Sequence, residues 1–133
     1  MANLTAGSGR YDKYDPISGG FRAALGADLA ASATPVGVGL DSNGDVVVGA
    51  GATGIVGVIC LTKNMKDGQR VDVMTAGEIV DIAGVTAGDV ITALTTTGVL
   101  SNTAADATHV PIGFTVEADR LVVRKGVPTF DAT

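Results

Sequence analysis

Residues 54–61 have the sequence Gly54-Ile-Val-Gly-Val-Ile-Cys-Leu61. Its β-branched residues favour a strand, and the glycine inside it disfavours a helix. The turn pair Asp67-Gly68 follows closely and leaves no room for a crossover helix. The stretch is therefore predicted to be a β-strand that pairs with neighbours of the same kind.

Seven other runs have strand length and β-branched content, and turn residues bound each of them. They are Val36–Leu40, Asp45–Val48, Arg70–Met74, Glu78–Ile82, Asp89–Leu94, Val110–Val116 and Arg120–Arg124. No amphipathic helix of normal length is evident. About eight strands in some ninety residues match the spacing of sandwiches and barrels. We expect an all-β fold, a small closed or partly open β-barrel of about eight short strands.

Two turn pairs and a weak internal duplication refine this expectation. Asn43-Gly44 and Asp67-Gly68 predict hairpins with type I′ turns. When residues 36–77 are laid over residues 91–126, strands, a turn glycine (Gly44 or Gly98) and a glycine within a strand (Gly57 or Gly113) recur in the same order. Two similar β units are expected, with the glycines inside strands marking the bends that a barrel needs.

The chain divides into an extended N-terminal arm, residues 1–35, and a β-barrel domain, residues 36–133. The arm is rich in Gly, Ala, Ser and Thr but holds three of the five aromatic residues, close to two arginines. Tyrosine and arginine are frequent anchors of protein interfaces. The candidate partner-binding residues of the arm are Arg10, Tyr11, Tyr14, Phe21 and Arg22. A chain without its first 25 residues is expected to stay folded.

Composition excludes several classes of protein. Hydrophobic residues make up 46% of the chain and charged ones 17%, which argues against disorder. A net charge of −5 with nine scattered basic residues argues against binding to nucleic acid. Membrane-spanning runs and a secretion signal are missing, so we expect a soluble protein made in a cytoplasm. One cysteine, Cys60, allows neither an internal disulfide nor a structural zinc site.

Two short motifs resemble ligand sites but lack their context. Gly49-Ala-Gly-Ala-Thr-Gly54 matches the dinucleotide-binding pattern, yet a strand rather than a helix is predicted to follow. Asp41-Ser-Asn-Gly-Asp45 begins like a calcium loop but has Val46 and Ala52 where that loop needs glycine and glutamate. We therefore expect no cofactor and no metal, and a solvated hairpin turn at residues 41–45.

The remaining reactive side chains do not form a catalytic pattern. His109 and Cys60 lie in or beside apolar strands, where the sequence suggests no pairing for a general-base or nucleophile role, and Cys60 is expected to be a small buried residue. Asp72 and Asp81 fit the outward positions of alternating strands, where charges keep a sheet soluble. The protein is therefore expected to have no catalytic residue and not to be an enzyme.

Several segments together resemble the capsid cement, or head-decoration, proteins of tailed phages. They are Thr34-Pro-Val-Gly-Val38, Gly44-Asp-Val-Val-Val48, Ile55-Val-Gly-Val58, Gly68-Gln-Arg-Val-Asp-Val73, Ala76-Gly-Glu-Ile-Val80 and Ala87-Gly-Asp-Val90. The resemblance covers roughly residues 34–126 and leaves the arm out. It implies a β-tulip domain on the capsid exterior of a virion, as a homotrimer, with the phage major capsid protein as partner and no catalysis.

The sequence leaves two other functions open. A self-assembling tail or spike component would share the β content and would polymerise on its own. A small β-barrel ligand-binding protein would use the loop Gly49–Gly54. The expectation that follows from the resemblance is a structural virion protein, synthesised in the cytoplasm of a bacterial host, that stabilises contacts between capsid subunits.

Overall fold

The computed structural model describes residues 19–31 and 34–125, which form ten β-strands and contain no helix. The strands are β1 (Gly20–Ala24), β2 (Val36–Leu40), β3 (Val46–Val48), β4 (Gly57–Ile59), β5 (Arg70–Met74), β6 (Ala76–Val80), β7 (Val90–Leu94), β8 (Leu100–Ser101), β9 (His109–Glu117) and β10 (Arg120–Arg124). The prediction of an all-β fold is confirmed. The eight predicted runs all contain strands, and β1 and β8 are additional.

The strands form two antiparallel sheets with one topology. Sheet 1 has the order β1-β5-β4-β2-β3, and sheet 2 has the order β6-β10-β9-β7-β8. Each strand of sheet 1 therefore occupies the position of the strand five places later in sheet 2. The landmarks of the sequence duplication, such as Gly44 after β2 and Gly98 after β7, fall at corresponding places. Within the described residues neither sheet closes on itself, so the architecture is the partly open one.

Two hydrophobic cores share the strand β4. The first core contains Val38, Val46, Ile59 and Val71 among its buried residues, and the second contains Val58, Ile91, Ile112 and Leu121 among its own. Every residue from 54 to 59 is buried. Successive side chains of a strand point to opposite faces, so Val58 enters one core and Ile59 the other.

The first strand corrects the predicted arm, residues 1–35. Residues 20–24 pair with β5 over their whole length, from Gly20 opposite Met74 to Ala24 opposite Arg70. Leu25 then enters the first core with only 3% of its surface exposed. This part of the predicted arm belongs to sheet 1, and a chain cut at residue 25 would lose an edge strand and a core residue.

The turns also differ from the prediction. Between β2 and β3 only Gly44 has positive φ, and its N–H donates to the carbonyl of Asp41 at 3.0 Å. This is a type I turn followed by a glycine bulge rather than a type I′ turn. The Asp41 carboxylate accepts the N–H groups of Asn43 and Asp45.

The second predicted hairpin, at Asp67-Gly68, is absent from the described residues. Asp67-Gly68 does turn the chain, but Met65, which precedes the turn, pairs with Leu29. The turn therefore does not join two strands that pair with each other.

Two strand glycines are required by close approach of a neighbouring strand. A Cβ on Gly57 would lie 2.6 Å from the carbonyl oxygen of Met74, and one on Gly113 would lie 2.0 Å from that of Val122. Neither glycine has positive φ. Gly113 also lies beside a register shift between β7 and β9, where Ile91 pairs with Gly113 and Thr92 with Pro111.

The connection from β8 to β9 is held by one carboxylate. Asp106 Oδ1 accepts the backbone N–H of Thr108 at 2.8 Å and that of His109 at 2.9 Å. Nearer to β8, the carbonyl of Thr103 accepts the hydroxyl of the fully buried Thr92 at 2.9 Å. The backbone N–H of Thr108, the His109 ring and the Thr108 hydroxyl lower the pKa of Asp106 to about 2.

Gly113→Ala is expected to lower the free energy of unfolding by about 3 kcal/mol, because the new methyl group meets backbone that must shift. Gly77→Ala is the matched control in the same sheet, where the nearest atom is Met74 Sδ at 3.1 Å, on a flexible side chain. The control should stay within about 1 kcal/mol of the wild type. Urea unfolding measures both values, and equal losses would contradict the steric explanation.

Asp106→Asn is expected to flatten the loss of stability in acid. The folded pKa of Asp106 lies below its unfolded value, so the carboxylate stabilises the protein above about pH 4, and this contribution is lost as the pH falls toward 2. Thermal unfolding between pH 5 and pH 2 should show a steeper fall in Tm for the wild type than for the variant. Parallel curves would show that Asp106 does not contribute to the acid transition.

Candidate protein-binding face

The outer face of sheet 2 carries a strip of apolar side chains. Glu78, Val122, Phe114 and Val90 lie side by side across β6, β10, β9 and β7, in direct register. Phe114 is 42% exposed and Val90 is 56% exposed, and Val116 on β9 is 45% exposed. Val80, at the end of β6, is 68% exposed. We call this surface, with Val80, Val90, Phe114, Val116 and Val122, the apolar face.

A β-bulge turns the two central side chains of this face toward solvent. Val110 and Ile112 point into the second core, so regular alternation would send Phe114 and Val116 there as well. The register shift opposite Ile91 and Thr92 inserts one residue and reverses the alternation. Thr115 is buried instead, and its hydroxyl donates to the carbonyl of Thr86 at 2.6 Å. Phe114 and Val116 are left outside.

Charged residues border the apolar face. Arg120 binds Glu78 at 3.1 Å and Glu117 at 3.0 Å. At the opposite end of β10, Arg124 lines a shallow groove together with Gly19, Phe114 and other residues of the face. An apolar centre with a charged rim is the usual composition of a protein interface.

The corresponding outer surface of sheet 1 is polar. Arg22 on β1 lies opposite Asp72 on β5, at the positions that Glu78 and Val122 occupy in sheet 2. The Arg22 guanidinium donates to the Asp72 carboxylate at 2.8 Å. This hydrogen bond and the charge of the partner raise the pKa of Arg22 and lower the pKa of Asp72. The duplicated unit therefore has a solvated outer face in one copy and an apolar one in the other.

The structure separates the residues that were predicted to anchor the arm. Phe21 packs partly buried against the first core, and Arg22 is held in the ion pair on sheet 1. Arg10, Tyr11 and Tyr14 lie outside the described residues. Phe21 and Arg22 are thus strand residues of sheet 1 and are not available as anchors of an extended arm.

The glycine-rich loop, residues 49–54, uses its backbone within the protein. The N–H of Gly49 donates to Gly37, that of Ala50 donates to Thr95, and that of Ala52 donates to Leu40. A dinucleotide loop needs such groups for a phosphate and needs a helix after it. Here β4 follows, as predicted. The loop connects sheet 1 to the β7–β8 turn.

His109 has a partner that the sequence did not reveal. Its Nδ1 lies 3.0 Å from the Asp106 carboxylate and 3.1 Å from the Thr108 hydroxyl. A nucleophile–histidine–acid relay uses both ring nitrogens, one for each partner. Here both contacts involve the same nitrogen, so the geometry holds the connection before β9 and does not form a proton relay.

Two other predictions about reactive residues have different outcomes. Asp72 is exposed on the outer side of sheet 1, as expected, and Asp81 is an exposed residue with φ of 64° just after β6. Cys60 was expected to be buried but is exposed, directly after the end of β4 at Ile59. No cluster of three or more metal-ligating side chains occurs among residues 19–31 and 34–125. The same residues include no helix long and apolar enough to cross a membrane.

Comparisons with known proteins extend only to the fold. No protein-family model matches the sequence, and no curated protein matches it. A solved structure from Mycobacterium phage Patience is similar, with a TM-score of 0.73 and 19% identity over 89% of this chain and 96% of that one. The chain therefore shares its fold with a phage protein.

Proposed function

We propose that the protein is a structural component of a phage virion that binds the outer surface of the capsid and stabilises contacts between major capsid protein subunits. The observation that carries the proposal is the apolar face of sheet 2, which has a solvated counterpart in sheet 1. A monomeric soluble protein seldom leaves such a surface uncovered without a partner. The fold shared with a phage protein agrees with this role.

The size of the apolar face suits a weak contact that is repeated many times. Covering a half-exposed phenylalanine or valine contributes about 1 kcal/mol, roughly half the value of full burial. Four or five such side chains give modest affinity once the cost of association is subtracted. On a capsid, identical sites recur across every capsomer joint. A homotrimer would engage several sites at once and would raise the effective concentration of each contact.

The residues before Gly19 are the second element of the proposed contact. They include Arg10, Tyr11 and Tyr14, which we keep as candidates for capsid binding, whereas Phe21 and Arg22 belong to β1. Gly19 itself lies at the rim of the apolar face, in the same groove as Phe114. In this proposal the apolar face and the residues before Gly19 contact the same capsid surface.

Two truncations are expected to separate binding from folding. A chain that begins at Gly19 keeps β1 and should unfold at nearly the wild-type temperature while losing capsid binding. A chain that begins at Gly26 also loses Phe21, Ala23 and Leu25 from the first core and should be destabilised by several kcal/mol. Thermal unfolding and co-sedimentation measure the two properties. Full binding by the chain that begins at Gly19 would remove the arm from the contact.

Val116→Asp is expected to lower the affinity for undecorated capsids by about tenfold or more, because it puts a charge at the centre of the contact. Co-sedimentation measures this affinity. Val99→Asp is the matched control, since Val99 is also an exposed valine, at 56% against 45% for Val116, and lies at the turn between β7 and β8. Saturable binding by the wild type and the control, with loss in Val116→Asp, would support the proposal.

Other results would contradict it. Absence of binding by the wild-type chain would refute the capsid role. Rings or tubes formed by the isolated protein in electron micrographs would favour a self-assembling tail or spike component. A trimer in analytical ultracentrifugation would support the proposed oligomer, and a monomer at high concentration would refute it.

A further inference from the structure

The two units differ at the ends of their edge strands, β1 and β6. After β1, Leu25 forms a bridge with Val46 of β3, and the N–H of Gly26 donates to the carbonyl of Val46 at 2.9 Å. These contacts hold the chain after β1 against β3, and Leu25 is buried. Within the described residues, no bridge links the corresponding residues 81–85 to β8. The second unit is therefore open at this end.

Asp81 is the residue at which the second unit departs from the first. Its φ of 64° lies in the left-handed region, and the next N–H, that of Ile82, donates to the carbonyl of Asp119 at 3.1 Å. In the first unit the equivalent bond joins the N–H of Leu25 to the carbonyl of Gln69 at 2.8 Å. Asp81 is thus an extra residue at the end of β6, and it is exposed.

A cavity of about 260 Å³ occupies the open end of the second unit. It reaches the second core, because the buried residues Ile91 and Leu121 line it. The corresponding depression in the first unit, which Leu25 lines, measures about 150 Å³. An apolar cavity of about 150 Å³ can hold benzene, so the larger one accommodates an aliphatic or aromatic side chain. We call this space the end cavity; its apolar lining consists of Pro35, Ile82, Val85, Ile91, Leu100 and Leu121.

The mouth of the end cavity is acidic. The exposed Asp81 lines it, and Asp119 lies beside Ile82. Neither carboxylate forms an ion pair within the part of the chain that the structure describes. Arg120, which follows Asp119, already binds two glutamates. Charge complementarity therefore favours an apolar group with a positive charge beside it.

The end cavity adjoins the apolar face. Val80, which belongs to that face and is 68% exposed, directly precedes Asp81. A partner that covers the apolar face therefore also reaches the mouth of the cavity. The residues that contribute most to an interface are commonly side chains that fill a pocket of the partner.

We propose that the end cavity receives one aliphatic or aromatic side chain of the major capsid protein, and that a lysine or arginine of the same segment lies beside Asp81. This inference rests on the proposed function and adds an anchor site to the apolar face. In the free protein both the face and the cavity stay open to solvent. A second copy of the chain is the competing occupant.

Ala83→Phe tests the insertion, because Ala83 is exposed at the cavity and a phenyl ring there occupies the space. Its affinity for undecorated capsids in co-sedimentation should be about tenfold or more below that of the wild type. Ala27→Phe is the matched control, since Ala27 is an exposed alanine that lines the smaller depression of the first unit. The control should bind like the wild type, and neither variant should lower Tm.

Asp81→Asn tests the charge and leaves the cavity open, because asparagine also tolerates a positive φ. Its affinity for capsids should fall about threefold at low salt, which is the size expected for one exposed ion pair. The difference from the wild type should shrink at high salt, since screening weakens the pair in the wild type.

Binding by the wild type that Ala83→Phe leaves unchanged would overturn this inference and leave the proposed function standing. Equal losses in Ala83→Phe and Ala27→Phe would overturn it as well, because the effect would not belong to the end cavity. Unchanged affinity of Asp81→Asn at low salt would remove the basic neighbour. An oligomer in sedimentation velocity that Ala83→Phe dissociates would assign the cavity to a second copy. Absence of capsid binding by the wild type would overturn both proposals.

Discussion

The structure depends on the burial of residues 54–59 from both sides. Val58 packs in one core and Ile59 in the other, so a single strand belongs to the interior of both duplicated units. This explains why the stretch lacks the polar alternation of a surface strand. It also explains Gly57, because Met74 of the neighbouring strand approaches so closely that no side chain fits. The two sheets meet again at Gly37, whose N–H donates to the carbonyl of Gly98 at 2.7 Å.

Strand content and turn positions could be predicted because they depend on local chemistry. Branched apolar runs bounded by glycine located eight strands, but β1 was not predicted, since Gly20-Phe-Arg-Ala-Ala24 has no branched apolar residue. Its strand conformation comes from pairing with β5, which is a tertiary effect. The internal duplication contained information that points to β1. The predicted strand at residues 78–82 precedes the second unit, so the first unit should have a corresponding strand before Val36.

The apolar face could not be derived from the sequence, because it depends on register. Regular alternation through residues 110–116 places four apolar side chains on one face, and only the shift opposite Thr92 divides them between core and solvent. Pro111 and Gly113 indicate an irregular strand but do not show which side chains it exposes. The arm was predicted from its aromatic residues, and the structure keeps that idea open only for the residues before Gly19.

The two units differ in the side chains that their outer faces present to solvent. In sheet 1 the outer positions carry Arg22 and Asp72, which solvent and each other satisfy at little cost or gain. In sheet 2 the corresponding position is Val122, and the bulge adds Phe114 and Val116 beside it. A net charge of −5 opposes non-specific association between copies. The bulge keeps Ile112 and Thr115 buried in the core, so the strand that exposes Phe114 and Val116 also contributes to interior packing.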